Sequence, residues 1–595
     1  MATAGQLVED FEMFGVALED NKLVEKCLEL CNQYGIEGEE LAACWVSFSS
    51  THGVGAPSED TLEQLERENL AKPKKKTISH TPNEGFKMYD ATTLDSLGCD
   101  NADQDEDLLA AYGGTPTIQN KRAHTPERNS SRKRHVGPAR SISAQFSPAT
   151  LSPSVATPSL KYSSRTNSGT VVATYGDVNN ATWTADPTFT PEVKSLALGG
   201  EVPLTESYKY MFEKVRDAGE ALDDAITVLA DQMMALLGQE EETHLRVASN
   251  ERVCAVGRVC CDSVGHLNAA SVLLEGSRSA SGAATVPLDL SRLKQYSLFP
   301  GQIVGVAGVN PTGNKLLAQE LIPGKLLPPP TNPVTISSST GCVQVVVGCG
   351  PFTTTDNLLY EPLTDLLTTI QDNPPHLLIL LGPFLDAAHP FLVKNELSET
   401  HEAVFSRCLR IITSALEKLP TKVILVSSSR DVCGPMVYPT PPYSVGVGSG
   451  VTCVSDPALL DIQGVVMALT STDILFHLGK EEISFPPQGS DRLGRLTQHI
   501  LRQQSLYPLY PPAEGMCIDL EQAEMHARLP STPHILVIPS DLRYFAREVE
   551  KCVVVNPERL AKGLVGGTYT RLELHPPSPD THTVINSINA KVVKV

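Results

Sequence analysis

The chain has 595 residues, with 48 Lys and Arg against 69 Asp and Glu, for a formal charge of −21. At 41% hydrophobic and 20% charged residues it is too long for one core and too apolar for a wholly disordered polymer. Its most apolar runs, Leu377–Leu381 and Lys422–Val426, are strand-length, which argues against a bilayer span and predicts no membrane partner.

The first twelve residues carry acids and no basic stretch, so no secretory signal is expected there. Residues 1–72 read as a small helical unit. Leu7, Phe11 and Phe14 share one face, Leu23, Cys27 and Leu30 a second, and Leu41, Trp45 and Phe48 a third. So small a bundle predicts an interaction module. Ser, Thr, Pro, Asn and Gly dominate 73–200, and apolar periodicity vanishes, which predicts a disordered linker. Nine bases between Lys121 and Arg165 stand there against Glu127 alone.

Helical spacing returns at 204–237 through Leu222, Ile226, Leu229, Met233 and Leu236. Short apolar runs follow at 253–260, 271–274, 284–288, 303–309 and 315–321. Five short strands separated by turn residues predict an OB-type barrel within 201–336. The segment 308–316 faintly matches a phosphate loop, but Asn314 and Leu316 break its ending, and a hairpin turn is expected. Residues 337–595 alternate buried-type strands (343–347, 377–381, 423–427, 465–469, 535–538, 552–555) with helical stretches such as 402–417 and 489–502. That pattern predicts an α/β domain with its site at the strand ends.

The residues at those ends are Cys349 and Pro351 after the first strand, and Pro383 and Asp386 after the second. Ser429, Arg430 and Asp431 follow the third, Ser471 and Asp473 the fourth, and Ser540 the fifth. A two-metal hydrolase needs carboxylates and imidazoles here. Gly, Cys, Pro, Ser and Thr stand instead. Asp386, Asp431, Asp473 and Asp541 could offer oxygen, but an Asp after a strand more often caps a helix or ties down a turn. Asp580-Thr581-His582 spells a ligand-like pattern within a Pro-rich surface loop. The fourteen Cys form no C-x-x-C pair, which predicts reduced thiols and no zinc ribbon.

Seven motifs occur in order: Tyr296-Ser297-Leu298-Phe299-Pro300-Gly301-Gln302, Gly382-Pro383-Phe384-Leu385-Asp386, Ser429-Arg430-Asp431, Leu469-Thr470-Ser471-Thr472-Asp473, Tyr507-Pro508-Leu509-Tyr510-Pro511-Pro512, 538–545, and Asn556-Pro557-Glu558-Arg559-Leu560 running to Gly566-Gly567-Thr568. Together they resemble the B-subunit family of DNA polymerase alpha, over nearly the whole chain. The resemblance implies an OB-fold packed on a calcineurin-like phosphoesterase fold whose catalytic residues are lost, with no metal or other cofactor. It also implies a non-enzymatic accessory role: binding the C-terminal region of the catalytic subunit, tethering primase, and supporting primer synthesis at replication initiation. The helical unit at 1–72 would dock other replication proteins.

Two rival functions are open. One is a metal-dependent phosphoesterase with altered ligands. The other is a single-stranded DNA binder, against which the barrel offers only Tyr296 and Phe299 as rings and few bases. The net charge predicts that contact with DNA is at most indirect. In the basic stretch, Lys121 and Arg122 with Arg132, Lys133 and Arg134 match a bipartite nuclear import signal and predict a nuclear protein. Thr115, Thr125, Ser147, Ser152 and Thr157 each precede Pro and are expected sites for proline-directed kinases, whose phosphates would cancel the basic cluster.

Overall fold

The computed structural model describes residues 158–595 apart from 178–182, 184, 337–340, 445–449, 487–490 and 578–583. It also describes part of the first 65 residues, chiefly Asn21–Tyr34. The import signal, the five Ser/Thr-Pro sites and Asp580-Thr581-His582 lie outside the described residues. The chain divides into two compact units, Met1–Met88 and Tyr89–Val595. In the first, helix α1 (Asn21–Tyr34) contributes Cys27 and Leu30 to a cluster with Leu7, Phe11, Leu41, Trp45, Phe48, Leu62 and Leu65. The described members of the three apolar faces expected from the sequence thus meet in one core; Phe14 lies outside the described residues.

The second unit runs β1 (Val171–Tyr175), β2 (Val193–Leu196), α2 (Val215–Leu237), β3 (Ser249–Cys261), β4 (Val272–Gly276), β5 (Thr285–Asp289), β6 (Tyr296–Leu298), β7 (Ile303–Asn310) and β8 (Leu316–Ile322). It continues with β9 (Val343–Cys349), α3 (Glu361–Asp372), β10 (Leu377–Leu381), α4 (His401–Leu416), β11 (Lys422–Val426), β12 (Val451–Val454), β13 (Ala458–Ile462) and β14 (Val465–Leu469). Then come α5 (Ile474–Glu481), β15 (Ile483–Phe485), α6 (Arg492–Arg502), α7 (Leu520–His526), β16 (Ile535–Val537), β17 (Phe545–Val549), β18 (Cys552–Asn556), β19 (Ala561–Lys562), β20 (Val565–Gly566), β21 (Thr568–Leu574) and β22 (Ile588–Lys594).

Strands β3-β4-β5-β8-β7 close a barrel. Its interior holds Val253, Ala255, Val259, Leu274, Val286, Leu288, Val304, Val306 and Leu316, the alternate residues of the runs read as strands. The 310–316 segment is the β7–β8 turn, as expected of a hairpin. Helix α2 lays Ile226, Leu229, Met233 and Leu237 on Cys254, Val256, Ile303 and Ala307, covering one outer flank of the barrel.

Two sheets face each other in the α/β domain. One runs β1-β22-β21-β9-β10-β11-β12, the other β17-β18-β16-β14-β13-β2. The inner faces share a core that includes Val345, Val347, Ile379, Leu381, Ile424, Leu460, Met467, Val537 and Val555. Helices α3 and α4 cover one outer face, and α5, α6 and α7 the other. Strands such as Leu377–Leu381 are buried at all five positions, because both faces are covered.

The expected linker boundary at 200 needs correction. Residues from 158 fold onto the α/β domain. β1 pairs antiparallel with β22, and β2 with β13. Arg165, counted among the linker bases, is ion-paired with Asp365. Tyr162 is buried and donates to Asp365 at 2.9 Å. Short strands in polar sequence can hold because each adds to an edge already formed by the larger sheet. The helix expected over 204–237 starts at Val215.

Candidate functional site

The parallel strands β9, β10, β11, β14 and β16 bring their C-terminal loops to one end of the sandwich. At its centre lies a side chain that the sequence shows only as one letter of a motif. Arg559 is 1% exposed. Its Nε donates to Asp541 Oδ1 at 3.1 Å and its Nη2 to Asp473 Oδ2 at 3.4 Å. Its Nη1 donates to Cys349 Sγ at 3.1 Å and to the Ser471 carbonyl at 3.5 Å. Burial opposes the guanidinium charge, but Cys349, Asp541 and Asp473 raise its pKa further. One cation therefore ties together the ends of β9, β14 and β16.

The four aspartates take structural partners. Asp473 caps α5, accepting from the Phe476 amide at 3.0 Å through Oδ1 and from the Asp541 amide at 2.7 Å through Oδ2. Asp431 is wholly buried; its Oδ2 accepts from the Phe384 amide at 2.5 Å and Tyr443 Oη at 3.0 Å. Burial pushes the Asp431 carboxyl up to about 6. Asp386 is ion-paired with Arg430 and accepts from the Ala388 amide at 3.1 Å. The charges of Arg559, Arg430 and Lys562 hold the Asp541 carboxyl low. Among the described residues, no three His, Cys, Asp or Glu converge as a ligand set for a metal ion.

The remaining loop residues fill the space between these anchors. The Cys349 thiol is fully buried, faces Gly382 O at 3.5 Å, and is pushed up by burial. The Gly350-Pro351 and Gly382-Pro383 bonds are cis. Ser540 accepts from the Leu542 amide at 3.1 Å, and its own amide donates to Asn556 Oδ1 at 2.9 Å. Ser471 serves a carboxylate that sequence analysis did not single out. Asp456, fully buried, accepts from the Ser471 amide and hydroxyl and from Thr472 Oγ1 at 2.7–2.9 Å. The structure leaves the Ser429 side chain outside this network.

The stretch Asn556-Pro557-Glu558-Arg559-Leu560 latches the end of the sixth strand. Asn556 Nδ2 donates to the Leu542 and Arg543 carbonyls, while Glu558 accepts from the Tyr544 amide and pairs with Lys562 at 3.0 Å. Gly567 is required there: a Cβ would lie 1.9 Å from the Arg559 carbonyl. Charged residues directly after an apolar strand were the available sequence signal for Arg559. The distance in sequence to its partners hid its role.

The motifs at 296–302 and 507–512 do a different job. β6 pairs with β15, so a strand from the barrel segment joins one from the α/β domain. Ser297 Oγ donates to Glu482 Oε1 at 2.5 Å and lies 2.8 Å from His499 Nε2. Burial would raise the Glu482 carboxyl, but Arg495 and His499 bring it to about 2. Gln503 acts as a strand surrogate, accepting from the Ile303 amide and donating to its carbonyl, both at 2.8 Å. Gly301, at φ +93, lets Tyr510 close in; a Cβ would sit 2.3 Å from the Tyr510 nitrogen.

Comparison with known proteins agrees with this architecture. The family of B-subunits of DNA polymerases alpha and epsilon matches residues 345–547. The OB domain of the DNA polymerase alpha B-subunit matches 219–324, and the N-terminal domain of the same B-subunit matches 5–72. The DNA polymerase alpha B-subunit of Rattus norvegicus is 39% identical, with 99% of each chain covered. That of Mus musculus is 40% identical over 96% of this chain and 95% of its own. That of Drosophila melanogaster is 31% identical over 99% of this chain and 100% of its own.

Proposed function

This chain belongs to the B-subunit family of DNA polymerase alpha, and from that premise we propose that it is a non-catalytic scaffold whose strand-end loops are a relic of a phosphoesterase site. Arg559 carries this reading. A guanidinium occupies the middle of the loops, and Asp473 and Asp541 neutralise it. The carboxylates that could ligate an ion are engaged by amides and arginines, so Cys349, Pro351, Pro383, Asp386, Ser429, Arg430, Asp431, Ser471, Asp473 and Ser540 serve as structural turns.

In this role the joined barrel and α/β domain clasp the C-terminal region of the polymerase catalytic subunit and keep primase in the same assembly for primer synthesis. The helical unit at 1–72 docks further replication proteins. Lys121, Arg122, Arg132, Lys133 and Arg134 direct nuclear import. Phosphorylation at Thr115, Thr125, Ser147, Ser152 and Thr157 offsets that basic charge.

The test is to co-express the full chain with the C-terminal region of a polymerase catalytic subunit. Co-elution, metal content and phosphodiester hydrolysis are then measured on the same fractions. A stable, metal-free, inactive co-complex is expected. A free chain that carries metal and hydrolyses substrate, with activity lost in Asp386→Asn, overturns the reading in favour of the phosphoesterase.

A further inference from the structure

The barrel's two rings are both engaged in the union with the α/β domain. Tyr296 stacks on Phe485 at 5.9 Å between centroids, and Phe299 is fully buried against His499. The barrel therefore presents no free tyrosine, phenylalanine or tryptophan ring among the described residues. A different surface combines an accessible ring with unpaired cations: the rim of the strand-end loops.

The loop after β16 presents Arg543 and Tyr544, and β22 ends beside it with Lys594. The Arg543 guanidinium lies 5.8 Å from the centre of the Tyr544 ring, and the Lys594 ammonium 5.7 Å from the same centre. Tyr544 and Lys594 are half-buried and Arg543 is exposed. Neither cation has a carboxylate partner among the described residues. This sets them apart from Arg252, Arg407 and Arg502, which are matched to Glu320, Glu399 and Glu550. Asp541, the exposed acid of this loop, is already held by Arg559. Lys562 and the partly exposed Arg430, at the same end of the sheet, are likewise matched, to Glu558 and Asp386.

We propose that Arg543, Tyr544 and Lys594 form a contact site for single-stranded nucleic acid, with one base stacked on Tyr544 and neighbouring phosphates on the two cations. Aromatic stacking beside mobile cations is the chemistry that holds single strands without reading sequence. Both cations lie within 6 Å of one ring centre, so they are close enough to serve one short stretch of backbone. The net charge of −21 is an average over the chain and does not describe this rim. The site does not depend on the scaffold reading above, and it differs from a barrel-based reader.

The experiment uses the full chain and fluorescent oligo-dT and oligo-rU, with a duplex of equal length for comparison, titrated at several salt concentrations. The variant Arg543→Glu/Lys594→Glu is compared with Lys209→Glu/Lys214→Glu, which makes the same change in net charge before α2. With about 0.7 of salt slope per phosphate on single strands, the first variant should lose about 1.4 from the slope of log affinity against log salt. The second should leave the slope unchanged. Tyr544→Ala should weaken binding roughly five- to hundredfold, while Tyr544→Phe should keep it. If Lys594→Glu disturbs β22, seen as a lower melting temperature, Arg543→Glu alone should still remove about 0.7 of slope. Equal affinities and slopes for the parent, the rim variants and the control pair would overturn the proposal and assign binding to other bases. A preference for duplex would overturn it too. Preference between dT and rU tells whether the strand is DNA or RNA, and either outcome supports the site.

Discussion

Replacing Arg559 with Met keeps much of the side chain's volume and removes the central charge. Four contacts disappear: those to Asp541, Asp473, Cys349 and the Ser471 carbonyl. Their consequences differ. The Asp541 side chain is 53% exposed and can be hydrated. Asp473 is 8% exposed, yet it keeps the Phe476 and Asp541 amides as donors. Breaking a buried ion pair costs about 3–5 kcal/mol, and the two retained donors place this case near 3 kcal/mol. For a domain of this size each kcal/mol is worth roughly 2–4 °C, so calorimetry on the full chain should show the α/β transition falling by about 6–12 °C. Adding Asp473→Asn removes the orphaned charge while leaving an oxygen to cap α5, and should recover about half of that loss. A fall below about 2 °C, or a double variant no better than Arg559→Met alone, would refute the view that a charge-balanced cluster holds these loops together.

Asp431 gives a prediction in pH. Its folded pKa of about 6 lies above the unfolded value of about 3.9, so its stabilising contribution is complete below pH 4 and is lost as pH rises through 6. The difference is about 3 kcal/mol, and Asp431→Asn should gain on the parent by that order between pH 4 and pH 8; a melting difference that does not vary with pH would count against it. His534, lowered by burial to about 4, tilts both proteins the other way and cancels in the comparison. Gln503→Ala should leave the Ile303 amide and carbonyl without partners, at about 1–3 kcal/mol each, and loosen the barrel from the α/β domain. Hydrogen exchange reads this directly, and unchanged protection at Ile303 would refute it. A chain starting at 201 loses β1 and β2 and bares the edges of β22 and β13, so it should aggregate where a chain starting at 158 stays monomeric by light scattering.

The inner strands were legible because parallel strands buried on both faces are written as unbroken apolar runs. Leu377–Leu381 and Val465–Leu469 match their observed limits. The barrel was legible from alternation and turns. β1 and β2 were not, since four or five residues in a Ser- and Thr-rich setting carry no periodic signal and gain their order from partners far along the chain. At the site, the expectation that aspartates after strands cap helices or tie turns fits Asp473 and Asp431. Arg559 and Asp456 escaped notice for one reason: each is defined by side chains brought in from other loops. The 296–302 motif was visible as a pattern, but only the structure shows that it joins the barrel to its neighbour.

The pairing of β1 with β22 also constrains how the protein is made. Val171 meets Val593, more than four hundred residues later. At about 5–20 residues per second, the ribosome finishes β22 on the order of half a minute after β1 has emerged. The barrel, encoded between them, can close meanwhile, because its strands are near neighbours in sequence. The larger sheet can be completed only once β22 has been made. Until then β1 is an unpaired strand, and a nascent chain at this stage is a natural client for a chaperone.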